Sequence, residues 1–367
     1  MKRLLIIFVC KLLFLCPIDA QKRIIDATDK TPISSASILD ASGNMIGFTF
    51  NDGIFSEIPE SAYPITVRCL GYEQLVIERS GNKTWEMTPT AYALEEVVIV
   101  PAERNIMRQT FYVREYYSMY NSSDTITFFF EHMADRFVPN SKDAKFRGKS
   151  SLRILKSNSY SRYKVSEKDS VVANPKSAIP SLLTILELSD KEVSAPESFK
   201  EPGKAVKLYE KTGKSGVSLI QKQNDRTFTM IGDLLAEDED HKYSPWPLKL
   251  LGCTMEFNQL YLTHVYRVND KGIYLSKDLE EASFIMEADG RGKYLRQALE
   301  SDKPIIIRYL IEFYIADRDY LTKEEAKKKY KNKPADVDFV IPSTVPQLNE
   351  ATLRLVERAK AESKIKK

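Results

Sequence analysis

Met45-Ile46-Gly47-Phe48-Thr49-Phe50-Asn51-Asp52-Gly53-Ile54-Phe55 has the pattern of a strand, a tight turn and a returning strand. Ile46, Phe48 and Phe50 alternate with smaller or polar residues, the period of a strand with one buried face. Asp52-Gly53 then supplies a residue that adopts positive φ without a Cβ clash, as a short hairpin turn requires. Upstream, Ala41-Ser42-Gly43-Asn44 joins Ser37-Ile38-Leu39-Asp40 to this strand by the same turn chemistry. Downstream, Ile65, Val67 and Cys69 share one face of a further strand, Gly71-Tyr72 breaks it, and Leu75-Val76-Ile77 begins the next. About seven short strands with turns roughly every 8–12 residues predict a small β-sandwich over residues 21–100.

The same residues carry a resemblance. Ile25-Asp26, Thr31-Pro32-Ile33, Ala36-Ser37-Ile38, the Gly47-x-Thr49-x-x-Asp52-Gly53-x-Phe55 hairpin, Gly71-Tyr72 and the closing Leu94-Glu95-Glu96-Val97-Val98-Ile99-Val100 occur in order. Together they resemble the carboxypeptidase-regulatory-like domain, a transthyretin-like module common at the N-terminus of envelope proteins of the Bacteroidota. The resemblance implies a non-catalytic sandwich and an envelope address, and it covers less than a quarter of the chain.

The first residues agree with that address. Met1-Lys2-Arg3, an apolar run from Leu4 to Leu15 interrupted by Lys11, and Pro17-Ile18-Asp19-Ala20 form the charged, apolar and cleavage regions of a secretory signal. The run is too short to span a bilayer as a helix. Cleavage after Ala20 is the favoured processing; lipidation at Cys16 is the alternative, disfavoured because Leu13-Phe14-Leu15 precedes it. Cleavage takes Lys2, Arg3, Lys11 and Asp19 from 54 basic and 51 acidic residues, which leaves a nearly neutral chain. Its basic residues are interspersed with acidic ones, so a nucleic-acid footprint is not expected. The remaining length suits two or three domains but leaves no room for a transmembrane barrel of its own. Cys69 and Cys253 remain after cleavage; two buried thiols are expected, with a bridge as the alternative.

Beyond the module, residues 101–110 are expected to be a linker, because Pro101 stops the alternation. Residues 111–120 fit a strand or an amphipathic helix. From Asp124, Phe128, Phe129, Met133 and Phe137 recur at helical spacing, which predicts a helix ending at Val138-Pro139. Strands are expected over residues 151–155, 160–165 and 217–221, with a short helix over 181–188. Strands then dominate from residue 254, and residues 304–315 are the most β-prone run of the chain. Thr322-Lys323-Glu324-Glu325 is a capping box that starts a helix ending near Tyr330. Residues 347–364 form a charged helix with Leu348, Ala351, Leu355 and Val356 as its apolar stripe. The expected architecture is therefore an all-β transthyretin-like sandwich, an α+β domain over 111–345 with a mostly antiparallel sheet, and a C-terminal helix over 346–367.

Patterns for chemistry are incomplete. His132, His241 and His264 are the histidines, and they form no metal-ligand spacing, so neither metal nor cofactor is expected. Ser161-x-x-Lys164 with Lys211-Thr212-Gly213 has part of the penicillin-binding pattern, but Ser161 lies in a strand-like alternation where a helix start is needed. Gly213-Lys214-Ser215 lacks the glycine five residues earlier that a phosphate loop requires, because Leu208 stands there. The acidic run 237–240 has no calcium-loop spacing. Tyr261, Tyr266, Tyr274, Tyr309, Phe313 and Tyr314 are the candidate ligand surface for a glycan or lipid. At strand spacing, core packing is the competing reading of the same six. The sequence thus points to a non-enzymatic envelope binding or scaffolding protein, with an envelope protein, glycan or lipid as partner. A hydrolase acting on peptide or peptidoglycan is the alternative.

Overall fold

The structure, a computed structural model, describes residues 22–90, 100–140, 146, 152–175, 193–194, 206–212, 215–223, 226–235, 253–292, 304–334 and 336–365. It is mostly β, with large antiparallel sheets and a C-terminal helix.

Residues 22–90 build two small sheets around one core. β1 (Arg23–Asp26) pairs in parallel with β6 (Thr84–Met87). β2 (Ser37–Leu39), β3 (Met45–Phe48), β4 (Ile65–Arg68) and β5 (Leu75–Ile77) form an antiparallel sheet in the order β3-β2-β4-β5. Ile24, Ile38, Phe55, Ile65, Val67, Ile77, Trp85 and Met87 fill the space between the sheets, and Cys69 packs half-buried against them. The turn after β3 forms where Asp52-Gly53 places it: Gly53 has φ +75, and its amide donates to the Phe50 carbonyl at 2.8 Å. Ile54 does not begin a regular strand but bridges Arg23 of β1.

The second part is a ten-stranded antiparallel sheet. It contains β7 (Ile106–Tyr120), β8 (Thr125–Pro139), β9 (Arg153–Val165), β10 (Lys168–Ala173), β12 (Val206–Thr212), β13 (Ser215–Gln223), β14 (Thr227–Asp233), β15 (Cys253–Arg267), β17 (Leu279–Gly292) and β18 (Ile305–Leu321). The spatial order is β10-β9-β8-β7-β18-β17-β15-β14-β13-β12. A separate short pair joins β11 (Val193–Ser194) to β16 (Ile273–Tyr274).

Three expectations are corrected. The helix over residues 124–138 is β8, paired along its length with β7 and β9. Both of its faces are buried: Ile126, Phe128 and Phe130 point one way, while Phe129, Met133 and Phe137 enter other clusters. A strand buried on both faces is apolar almost continuously, and helical spacings arise within such a run without any helix. The linker is shorter than 101–110, because β7 begins at Ile106. Residues 111–345 are mostly β, their described helix being α1 (Lys323–Lys331). α1 starts at the predicted capping box, with the Thr322 amide donating to Glu325 Oε2 at 2.9 Å and the Glu325 amide to Thr322 Oγ1 at 3.3 Å. The C-terminal helix, α2, is Glu350–Ile365. The helix expected at 181–188, the signal at 1–20 and the side chain of Cys253 lie outside the described residues.

The large sheet has two different faces. On the module face, Leu39, Met45 and Phe48 pack on Tyr116, Phe129, Ile285 and Leu310, and Leu355, Val356 and Ala359 of α2 join the same cluster. Leu70 packs on Tyr112, Met133 and Tyr314, with Val337, Phe339 and Val345 completing that cover. On the opposite face Phe128, Ile307, Tyr309, Ile311, Phe313, Met286, Phe228 and Tyr266 form one large apolar cluster. The sheet curls about this second face. Gln109 of β7 donates to the Ser276 carbonyl, in the turn that leads into β17, at 2.6 Å, and one cluster joins Phe128 of β8 to Phe228 of β14, strands five ladder steps apart.

Candidate functional site

The six aromatic residues nominated from the sequence are all buried, at 4 % exposure or less. They do not gather. Tyr266, Tyr274, Tyr309 and Phe313 lie in the apolar cluster, whereas Tyr261 and Tyr314 face the module side. Strand alternation separates neighbours onto opposite faces, so a run dense in aromatics supplies two surfaces. Tyr274 stacks on Phe228 at 4.3 Å, and the Tyr309 hydroxyl donates to Glu115 Oε2 at 2.8 Å. Tyr261 lines a cleft.

The nominated nucleophile is also structural. Ser161 is fully buried in β9, and its hydroxyl donates to the Val172 carbonyl at 3.4 Å. Lys164, three positions along a strand, falls on the other face and is exposed. His132 Nε2 lies 2.7 Å from Glu115 Oε1, buried in the sheet. His264 is buried with both ring nitrogens lacking a partner, and burial followed by the Arg136 charge lowers its pKa to about 4. His241, Gly213, Lys214 and the acidic run 237–240 lie outside the described residues. Among the described residues, no group of three His, Cys, Asp or Glu side chains is placed to hold a metal.

Two clefts open where residues 22–90 meet the large sheet. The first, about 250 Å³, has Phe129, Val171 and Leu355 as its apolar floor and Arg162, Arg354 and Arg358 at its rim. These guanidiniums are already engaged: Arg162 with Asp169 at 2.9 Å, Arg354 with Glu350 at 3.0 Å, and Arg358 with Glu362 at 3.0 Å. An anion would have to displace carboxylates.

The second cleft, about 260 Å³, is lined by Phe50, Asn51, Asp52, Asp233, Leu235, Asn258, Gln259 and Tyr261. Three local features build it. The turn after β3 carries Phe50, Asn51 and Asp52 to the sheet. The end of β14 supplies Asp233, whose Oδ1 accepts from the Leu235 amide at 3.0 Å. β15 contributes a bulge: Phe257 pairs with Ala288 and Gln259 with Glu287, so Asn258 is the additional residue.

The hydrogen bonds around this cleft fix the orientation of its amides. Asn51 Nδ2 donates to Asp233 Oδ2 at 3.2 Å, and Asn258 Nδ2 donates to Asp289 Oδ2 at 3.1 Å. A carboxylate accepts only from a donor, so both amide oxygens must point elsewhere. Asn51 Oδ1, Asn258 Oδ1 and Gln259 Oε1 then have no hydrogen-bond partner. A buried polar atom left unpaired costs about 1–3 kcal/mol. Burial, with the charges of Asp233 and Asp52, pushes the Tyr261 hydroxyl far above its ordinary pKa, so it remains protonated. Across the ladder from Gln259, burial and the Asp289 charge raise the Glu287 carboxyl to about 7. None of the lining residues is basic.

No family model matches the chain. No curated protein matches it either. Among solved structures it is similar to the chain described under "lipid-protein interactions in lipovitellin", at 9 % identity and a TM-score of 0.33. That likeness covers 68 % of this chain and 28 % of the lipovitellin chain.

Sequence reasoning marked Tyr261 as a ligand contact and Asn51-Asp52 as a turn, but it missed Asp233, Asn258 and Gln259. Asn258 gains its place from a register step against β17, and no local pattern in β15 marks that step. Asp233-Leu234-Leu235 closes a strand and carries a weak turn signal at most.

Proposed function

We propose that this is a non-enzymatic binding protein of the cell envelope that takes its ligand where the N-terminal module meets the large sheet. In this reading the chain is exported by its first 20 residues. Residues 21–100 are a transthyretin-like sandwich of the carboxypeptidase-regulatory-like kind, and their turns form one wall of the binding clefts. The observation that carries the proposal is the second cleft, in which Phe50 and Asp52 from the first part and Asp233, Leu235 and Tyr261 from the second line one cavity. Non-covalent recognition also agrees with the burial of Ser161, His132 and His264, which substrate would have to reach.

The competing hydrolase reading makes a different prediction for the purified protein incubated with muropeptides and short peptides and followed by mass spectrometry. Unchanged substrate is expected. Turnover that disappears in Ser161→Ala or His264→Ala overturns the proposal in favour of an envelope hydrolase.

A further inference from the structure

We infer that the cleft between α2 and the β8, β9 and β10 strands of the large sheet binds an anionic amphiphile, a carboxylate or phosphate head on an alkyl chain. This assignment rests on the binding reading above and names the ligand class of the first of its two clefts. Three observations select that chemistry. First, Arg162, Arg354 and Arg358 line the cleft and, among the described residues, no carboxylate does, so its wall attracts an anion and repels a cation. Second, these guanidiniums can be reached from solvent, their side chains being 33 %, 64 % and 42 % exposed. Third, Phe129, Val171 and Leu355 form an apolar wall beneath them, so the cleft presents apolar and polar surface side by side in about equal measure. A free inorganic anion would leave the apolar wall wet, and a neutral chain would make no use of the arginines. A charged head joined to a chain engages both.

Strand register and helix period build this arrangement. Val171 stands opposite Arg162 in the β9–β10 ladder, so both project from the same face, the one that α2 covers. Arg354 and Arg358 are one turn apart on α2 and share its cleft side, next to Leu355, which packs in one cluster with Phe129 and Val171. The carboxylates that an arriving anion displaces are the weakly held ones. Arg354–Glu350 and Arg358–Glu362 are solvent-facing pairs four residues apart on one helix, at 3.0 Å each, and such pairs contribute little in water. Asp169 is held more firmly, because Arg162 donates to it at two points, 3.0 and 2.9 Å, and Arg358 Nη1 lies 3.2 Å from it. That carboxylate stays and fixes two of the three guanidiniums at the mouth. At about 250 Å³ the space is below the usual size of a drug-sized pocket, roughly 300–1,000 Å³, and suits a head group with a short length of chain.

The test is calorimetry on the full chain with decanoate, decyl phosphate, decanol and inorganic phosphate, the amphiphiles being kept below the concentration at which they form micelles. Decanoate or decyl phosphate is expected to bind about tenfold or more tightly than both decanol and inorganic phosphate, and the tighter of the two identifies the head. Hexanoate should bind about tenfold or more weakly than decanoate, since it buries less chain. The double variant Arg354→Gln/Arg358→Gln should lose most of the preference over decanol. Both residues are exposed, so the fold is retained, and thermal melting checks this. Absence of binding by decanoate and decyl phosphate alike overturns the inference. So does decanol binding as tightly as they do, which would leave the arginines no part, or inorganic phosphate doing so, which would leave the apolar wall none. Binding that the double variant does not weaken places the amphiphile elsewhere and overturns it as well. Each of these failures leaves the binding function standing, because that reading rests on the other cleft; muropeptide turnover sinks the function whatever the amphiphiles do.

Discussion

His264 shows what a single buried side chain does to pH dependence. It is fully buried beside Tyr266, neither ring nitrogen has a partner, and its pKa is lowered to about 4. A depressed histidine pKa contributes stability that is present above the unfolded value, 6.5, and lost as pH falls towards the folded one. Between those values the unfolded chain takes up a proton that the folded protein refuses. From pH 7 to pH 4.5 the protein should therefore lose about 2 kcal/mol more stability than His264→Phe, which keeps a ring of similar size. Denaturant titrations of both proteins at the two pH values check this. Equal losses would mean that the imidazole is solvated or paired in solution. The sequence carries no sign of this behaviour, because His264 stands in a strand alternation and the curl that brings Arg136 towards it is a property of the whole sheet.

Among the elements, the turn between β2 and β3 and the helix α2 constrain each other through Gly43. Its φ is +79, and a Cβ built there would lie 2.9 Å from the Ala351 Cβ, in the first turn of α2. Gly43→Ala should destabilise by about 1–2 kcal/mol from the left-handed conformation alone, with a further cost from displacing α2. Adding Ala351→Gly should recover the second part and leave the first. Melting temperatures of the single and double variants separate the two, and an unchanged melting temperature in Gly43→Ala would refute the close approach. The turn itself was legible, since Asp40 and Gly43 are turn chemistry and Asp40 Oδ1 accepts from the Ser42 and Asn44 amides at 2.8 Å each. α1 and α2 were legible for similar local reasons, a capping box and an apolar stripe. β8 was not. Its residues serve two cores at once, so the alternation that announces a strand is filled in, and only pairing with β7 and β9 reveals it. The cleft was legible in part for the same reason: Asn51 and Tyr261 have local signals, whereas Asn258 depends on register.

For the molecule as a whole, the question is how firmly residues 22–90 belong to the sheet they cover. Their own core is complete, because Ile24, Ile38, Ile65, Val67, Ile77, Trp85 and Met87 pack among themselves. A fragment of residues 21–100 is therefore expected to fold alone, though marginally for its size. The outer side of β4 has a different dependence. Arg68 is 3 % exposed, and its Nη2 donates to Glu312 Oε2 at 2.6 Å and its Nη1 to the Tyr116 hydroxyl at 2.5 Å. Burial opposes the guanidinium charge, but Glu312 and Tyr116 outweigh it and hold the pKa above the ordinary value. Removing one partner of such a pair typically costs about 3–5 kcal/mol, because the other is left charged in a dry place. In the full chain Arg68→Ala should show a loss of that order, and much of it should return when Glu312→Leu is added to Arg68→Met. In the isolated fragment Glu312 is absent and Arg68 meets water, so Arg68→Ala should change stability by less than about 0.5 kcal/mol. The comparison separates a residue that folds the module from one that docks it. A large loss in the fragment would place Arg68 in the module's own stability, whereas a negligible loss in both contexts would mean that the junction is not closed by this pair. The expected pattern, large in the full chain and small in the fragment, makes the Arg68–Glu312 contact the lock that holds the Asn51-Asp52 turn against β14 and β15. On that pattern, Arg68→Ala should also weaken any ligand bound in the cleft without touching it.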